Sequence, residues 1–239
     1  MKVPLKPYQL ETVEKLVKLS ETFLSMGWDQ EIVFKAPTGS GKTVMMTAFL
    51  ERFREEELWD FAFVWVSVNN LHTQSKKSLE RNFSEWYFKL YELSDVREKL
   101  NKNDILFFNW QSVTKKARVT HNDVEAGDYT NIFMRDNESE RNLPTFISNT
   151  LEEWRKIILI IDESQLYLSE DTEKLIASVI KPVLRIEVSA TPKKNAQIKV
   201  ELSDPIGAEM IKKDIVINEW FGELNLLEST GDEIIIEEW

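Results

Sequence analysis

Ala36-Pro37-Thr38-Gly39-Ser40-Gly41-Lys42-Thr43 decides how this chain is read. Just before it, Glu31-Ile32-Val33-Phe34-Lys35 has the look of a short buried strand. Behind it, Met46, Phe49, Leu50 and Phe53 recur at helical spacing, which predicts an amphipathic helix. Strand, glycine-rich turn, then Gly-Lys-Thr opening a helix is the context in which the pattern means a phosphate-binding loop. Glycine lets backbone N–H groups converge on phosphate oxygens, and the helix N-terminus adds partial positive charge. Pro37, Thr38, Gly39, Ser40 and Gly41 would form the cradle, Lys42 would reach the β- and γ-phosphates, and the Thr43 hydroxyl would ligate Mg²⁺. The pattern calls for glycine at its first position, where this chain has Ala36.

Working outward, Pro7 suits the first position of a helix, where its missing N–H is no loss. Leu10, Val13, Leu16, Val17, Phe23 and Leu24 give that helix an apolar stripe to about Met26, and Gly27 stops it. Tyr8 and Gln9 sit at its start, and a glutamine amide there can read an adenine edge by donating and accepting at once. Downstream, Phe61-Ala62-Phe63-Val64-Trp65-Val66 is an almost unbroken apolar run, the mark of a strand buried on both faces of a parallel sheet. It leads into Asn69-Asn70 and a helix from Leu71 carrying Gln74, Lys76, Lys77 and Arg81. The aromatic-rich residues 83–93 read as a further helix. Ile105-Leu106-Phe107-Phe108 is a third strand, ending in Asn109-Trp110-Gln111-Ser112, with Lys115, Lys116 and Arg118 beyond. From there to about Asn142 no periodicity emerges. Pro144 opens a helix expected to align Ile147, Leu151 and Trp154.

Ile157-Ile158-Leu159-Ile160-Ile161 is the strongest strand, and it ends in Asp162-Glu163. A carboxylate pair at such a strand end, downstream of a phosphate loop, has a mechanical use: the first acid holds Mg²⁺ and the second polarises the attacking water. Residues 183–188 are another strand, closed by Ser189-Ala190-Thr191-Pro192 and then Lys193-Lys194, and a last strand is expected near residues 215–217. Alternating strands and helices predict an α/β domain with a mostly parallel sheet, helices on both faces, and ligands at the C-terminal strand ends.

Composition narrows the class. The 239 residues are 42% hydrophobic and 11% aromatic, enough for a sizeable core. There is no cysteine, so thiolate metal sites and disulfides are excluded, as suits a reducing cytoplasm. The two histidines, His72 and His121, stand far apart, which argues against a zinc site. No stretch reaches membrane-span length, so no membrane partner is expected. A net charge of −11 argues against nucleic-acid binding by bulk electrostatics and leaves room only for a local basic strip: Asn69, Asn70, Gln74, Lys115, Lys116, Lys193 and Lys194.

In order, Tyr8-Gln9, the loop, Asn69-Asn70, Asn109 to Ser112, Asp162-Glu163-Ser164-Gln165 and Ser189-Ala190-Thr191 resemble the motifs of the first RecA-like domain of superfamily 2 helicases. Among these DEAD/DEAH box proteins, the stretches Asn-Trp-Gln-Ser, Arg141 to Pro144, Ile-Ile-Asp-Glu-Ser and Gly207 to Lys213 are most similar to the Res subunit of type III restriction enzymes. The resemblance covers about residues 5–220. It implies a RecA-like P-loop NTPase domain over residues 1–220, with the acidic residues 221–239 as the expected start of a second domain. It implies Mg²⁺ and ATP, with Gln9 at adenine, Lys42 and Thr43 at phosphate and metal, and Asp162 and Glu163 at metal and water. Ser189 and Thr191 would couple nucleotide state to duplex DNA. Gln165 stands where most relatives carry histidine. The family's second RecA-like domain supplies an arginine finger, so weak or absent hydrolysis is expected of this chain alone, and a modification or specificity subunit is a further expected partner. Two other readings remain open from the residues: a non-hydrolysing nucleotide-binding or scaffold module, and a P-loop kinase.

Overall fold

The computed structural model describes residues 2–27, 30–55, 60–68, 71–83, 87–95, 98–114, 142–166 and 170–211. Among these residues seven strands make one sheet: β1 (Gln30–Lys35), β2 (Phe61–Ser67), β3 (Leu90–Glu92), β4 (Ile105–Asn109), β5 (Lys156–Asp162), β6 (Leu184–Ser189) and β7 (Ile198–Lys199). Their order is β3-β4-β2-β5-β6-β1-β7, and every pairing is parallel. Parallel neighbours need crossovers, which α2 (Lys42–Glu55), α3 (Leu71–Asn82), α4 (Trp110–Thr114), α5 (Leu143–Glu152) and α6 (Glu170–Leu175) help to provide, while α1 (Pro7–Met26) precedes the first strand and α7 (Ser203–Gly207) follows the last. A π-helical turn, Ile176–Ile180, continues α6.

Successive strand side chains point to opposite faces, so two apolar layers form. On one face Phe34, Trp65, Ile160 and Ile186 pack under Leu16 of α1 and Met45, Met46 and Phe49 of α2. On the other, Val66, Phe108, Leu159 and Ile161 pack under Phe146 and Ile147 of α5 and Ile180. Every residue of β2 is buried, as its apolar run foretells. Asn142 starts α5 because its Oδ1 accepts from the Thr145 N–H at 2.9 Å, and Asn109 does the same for α4, accepting from the Ser112 N–H at 2.6 Å.

Three expectations change. Among the described residues the helix expected over 83–93 does not form: α3 stops at Asn82, and Leu90–Glu92 joins β4 as a parallel edge strand. The aromatics there pack without a helix, with Phe83 stacked on Phe88 at 4.6 Å and Phe88 set edge-on to Phe63. Trp154 does not continue the buried face of α5. That helix ends at Glu152, and Trp154 takes a left-handed backbone (φ 62°) that turns its ring into solvent, 91% exposed. The two-residue strand β7 on the sheet edge was not foreseen. The strand expected near residues 215–217, the aperiodic segment before Asn142, and the boundary at residue 220 lie outside the described residues. Among those described, no helix is long and apolar enough to cross a membrane.

Candidate functional site

Parallel strands put all their C-terminal ends on one rim, and the register decides which ends meet. Lys35 pairs with Ser189 and Asp162 with Val188, so β6 lies between the strand that feeds the loop and the strand that ends in acids. Two strand spacings are about 10 Å. Lys42, at the first position of α2, reaches across that gap: its Nζ lies 3.4 Å from the Ala36 carbonyl and 3.4 Å from Glu163 Oε1.

The loop is built as its composition requires. Gly39 and Gly41 have φ of 83° and 84°, a region that L-residues with a side chain rarely enter. Ser40 is fully buried, and both its N–H and its hydroxyl donate to the Pro37 carbonyl, at 3.2 and 2.7 Å. The Ala36 N–H donates to the Ser189 carbonyl at 3.0 Å, which pins the loop's first residue to the end of β6. Pro37 and Thr43 are half-buried and Thr38 is exposed.

The acidic pair is held in an unusual way. Glu163 has φ 55°, left-handed for a side-chain-bearing residue, and this turns its carboxylate back toward Lys42. Gln165 Nε2 donates to Glu163 Oε2 at 2.8 Å, and the Ser189 hydroxyl donates to Gln165 Oε1. The Thr191 N–H donates to Ser189 Oγ at 3.0 Å. The Gln165 amide therefore links the acidic pair at the end of β5 to the Ser189-Ala190-Thr191 turn after β6. Asp162, at the tip of β5, accepts from the Ser75 hydroxyl of α3 at 3.1 Å. Burial first, and the Glu163 charge second, push its carboxyl from 3.8 up to about 6, against the pull of Ser75 and Lys42.

A metal fits this donor set in one manner. Among the described residues no group of three or more His, Cys, Asp or Glu could hold an ion. Asp162 and Thr43 could then be the protein's contribution to a Mg²⁺ site, with phosphate oxygens and water as the remaining ligands, which is the way Mg²⁺ prefers to be bound. The buried, like-charged Asp162 is the observation that calls for a cation. A test follows from the sign of its shift. Folding raises the Asp162 value, so the carboxyl supports the fold while protonated, fully below about pH 4, and that support is lost as pH rises through 6. At pH 8 without nucleotide or metal, Asp162→Asn should unfold at a higher temperature than the parent. The shift is worth at most about 3 kcal/mol, and water entering the cleft reduces the gain to roughly 1–2 kcal/mol. The gain should disappear at pH 4, as followed by circular dichroism melts. An equal gain at both pH values would show that ionisation is not its cause.

At the other end of the loop, Tyr8 and Gln9 both address Ser40. The Tyr8 hydroxyl donates to the Ser40 carbonyl at 2.7 Å and Gln9 Nε2 donates to the same oxygen at 3.0 Å. Gln9 is only 2% exposed, and its Oε1 accepts from the Lys6 N–H at 3.0 Å. Of the residues singled out for DNA, Gln74 and Lys193 are exposed. Lys194 is tied to Glu31 and Glu187, at 2.5 and 3.0 Å. Asn69, Asn70, Lys115 and Lys116 lie outside the described residues. Sequence reasoning missed Ser75, which has no local signal, and it assigned no role to Met210 and Ile211. Both lie against the loop: a methyl group on Gly39 would come within 3.2 Å of Ile211, and Met210 Sδ is 3.0 Å from the Tyr8 hydroxyl.

A family model described as "Type III restriction enzyme, res subunit" matches residues 2–194. No curated protein matches. Among solved structures, the chain is similar to a nuclease-deletion mutant of the Type ISP restriction-modification enzyme LlaGI in complex with a DNA substrate mimic. That match has TM-score 0.57 and 11% identity, and covers 87% of this chain and 21% of that one. It is also similar to the Sulfolobus solfataricus SWI2/SNF2 ATPase core in complex with dsDNA, with TM-score 0.52 and 18% identity, covering 80% of this chain and 33% of that one. The chain thus spans a fifth to a third of the length of these two structures. They share with it the RecA-like parallel sheet.

Proposed function

This chain belongs to the family of type III restriction enzyme Res subunits, and on that premise we propose that it is the ATP-binding domain of a motor that couples hydrolysis of Mg-ATP to duplex DNA. One observation supports this reading above the others: the unbroken polar line from Lys42 through Glu163, Gln165 and Ser189 to Thr191. A module that only stores nucleotide, or a P-loop kinase, needs the loop and has no use for a link from it to the end of β6. In this reading the loop amides and Lys42 hold the β- and γ-phosphates, and Thr43 with Asp162 hold Mg²⁺. The bound ion supplies neutralisation of phosphate charge. Glu163 orients the attacking water and takes its proton, while Gln165 keeps the Glu163 carboxylate aimed. Ser189 and Thr191 carry the change at the γ-phosphate toward a DNA surface for which Gln74 and Lys193 are exposed candidates.

Transition-state charge on the γ-phosphoryl group calls for an arginine as well. Arg185 is spent elsewhere, in ion pairs with Glu173 and Glu187. We therefore assign that role to a second RecA-like domain, and a modification or specificity subunit to the assembly as a further partner. Turnover of Mg-ATP by the 239-residue chain, with and without duplex DNA at low salt, tests the reading. Slow turnover that DNA raises and Glu163→Gln removes, with nucleotide still bound, is the expected result. Turnover indifferent to both DNA and Glu163→Gln would overturn it.

A further inference from the structure

Helix α3 lies over the apolar layer to which β2 and β5 contribute Trp65 and Ile160, and the residues it buries are Ser75 and Leu79, one turn apart. Leu79 joins that layer, as an inward helix position normally does. Ser75 has a different use: its hydroxyl donates to Asp162 Oδ2 at 3.1 Å. Serine is short, so this bond fixes both where the carboxylate sits and how it is turned.

A second hydroxyl stands beside that pair. Ser67 ends β2, and its hydroxyl is fully buried with no hydrogen-bond partner among the described residues. An unmade buried bond is costly, so such a group calls for an explanation. The register supplies one. Val66 pairs with Ile161, so the next step along these parallel strands sets Ser67 beside Asp162, one strand spacing of about 4.8 Å away. Trp65 and Ile160 face the α3 side, and side chains alternate along a strand, so Ser67 and Asp162 face that side too. One carboxylate thus has a hydroxyl bound to it from the helix and an idle hydroxyl on the neighbouring strand.

We propose that Ser75 and Ser67 are positioning residues for the cation that accompanies the nucleotide: Ser75 holds the Asp162 carboxylate in place, and the Ser67 hydroxyl becomes its second donor once that carboxylate turns to the ion. This deepens the functional reading above and rests on it. Mg²⁺ demands near-ideal octahedral geometry at about 2.0–2.1 Å, so an error in the direction of its one protein carboxylate passes straight into affinity. Groups that hydrogen-bond a ligating side chain typically contribute about 10–100-fold to metal affinity. Lys42 and the loop amides act on the phosphates directly, so the two serines should matter only when the ion is present.

Titration calorimetry of the 239-residue chain with ATP, once in excess Mg²⁺ and once in EDTA, separates these contributions. Ser75→Ala should bind Mg-ATP at least about tenfold more weakly than the parent, and metal-free ATP within about twofold of it. Ser75→Thr, which keeps the hydroxyl, should recover most of the Mg-ATP affinity. Ser67→Ala removes a group that is unsatisfied in the free protein, so it should raise the ligand-free melting temperature by roughly 2–5 °C and yet weaken Mg-ATP alone. A packing role would not produce that opposition, and this variant carries the test if Ser75→Ala does not fold. Equal losses with and without Mg²⁺ in both alanine variants, or no loss in either, overturn the proposal. So does a parent whose affinity for ATP is indifferent to Mg²⁺. A parent that binds ATP under neither condition overturns the functional reading itself, a separate outcome.

Discussion

Replacing Lys42 by alanine is expected to abolish nearly all stabilisation of this chain by Mg-ATP. A ligand at a hundredfold over its dissociation constant stabilises the fold by about 2.7 kcal/mol. For a protein of this size that raises the melting temperature by roughly 5–10 °C. The Lys42 ammonium would make charge-assisted hydrogen bonds to two phosphates, each worth about 1.5–3 kcal/mol. Losing them weakens binding at least about a hundredfold, so at the same ligand concentration the stabilisation falls to about 0.4 kcal/mol or less, a shift of roughly 1 °C at most. The ligand-free variant should melt near the parent, because among the described residues Lys42 contacts the Ala36 carbonyl and the partly exposed Glu163. Thermal melts of both proteins with and without Mg-ATP check this. A variant that keeps the full shift would show that nucleotide binds away from the loop.

The second large effect concerns stability and follows from a cluster that β6 buries. Leu184, Ile186 and Val188 face one apolar layer, which sends Arg185 and Glu187 to the other side of the sheet. There Arg185 grips Glu173 of α6 with two hydrogen bonds of 2.8 Å and Glu187 at 2.6 Å, and Lys194 joins Glu187 and Glu31. Glu187 is 1% exposed. Removing one partner of a fully buried pair costs about 3–5 kcal/mol, an upper bound here because Lys194 still reaches Glu187 at 3.0 Å and Glu173 is half exposed. Arg185→Ala should accordingly lower the unfolding free energy by roughly 2–3 kcal/mol in urea denaturation. Arg185→Met combined with Glu187→Leu should recover part of the loss, since buried pairs replaced together by apolar groups are often neutral. A single variant that loses less than about 1 kcal/mol would mean that water reaches Glu187 and the cluster is not dry.

Gln165 donates to Glu163 and accepts from Ser189 at once, and an amide does not change charge near neutral pH, so the linking side chain itself does not titrate.

Local features were legible from the residues alone. The loop, its strand and helix, the Asp162-Glu163 strand end, the Pro7 and Pro144 helix starts and the doubly buried β2 depend on residues within a few positions of one another, where backbone preference and apolar spacing act. The helix misread over residues 83–93 marks the limit of that reading, because aromatic residues there are placed by the sheet they lie on and not by their own periodicity. Partnerships across the chain were decided only in three dimensions. Ser75 meets Asp162 from 87 positions away, and Tyr8 meets Met210 from 202. Gln9 shows the difference most plainly: nothing in its sequence context indicates that Ser40 and Met210 lie within reach of its amide. A buried polar group must find its partners inside the protein, and which partners are within reach is set by how the sheet register and the α7 turn close around it, information no short stretch of sequence contains.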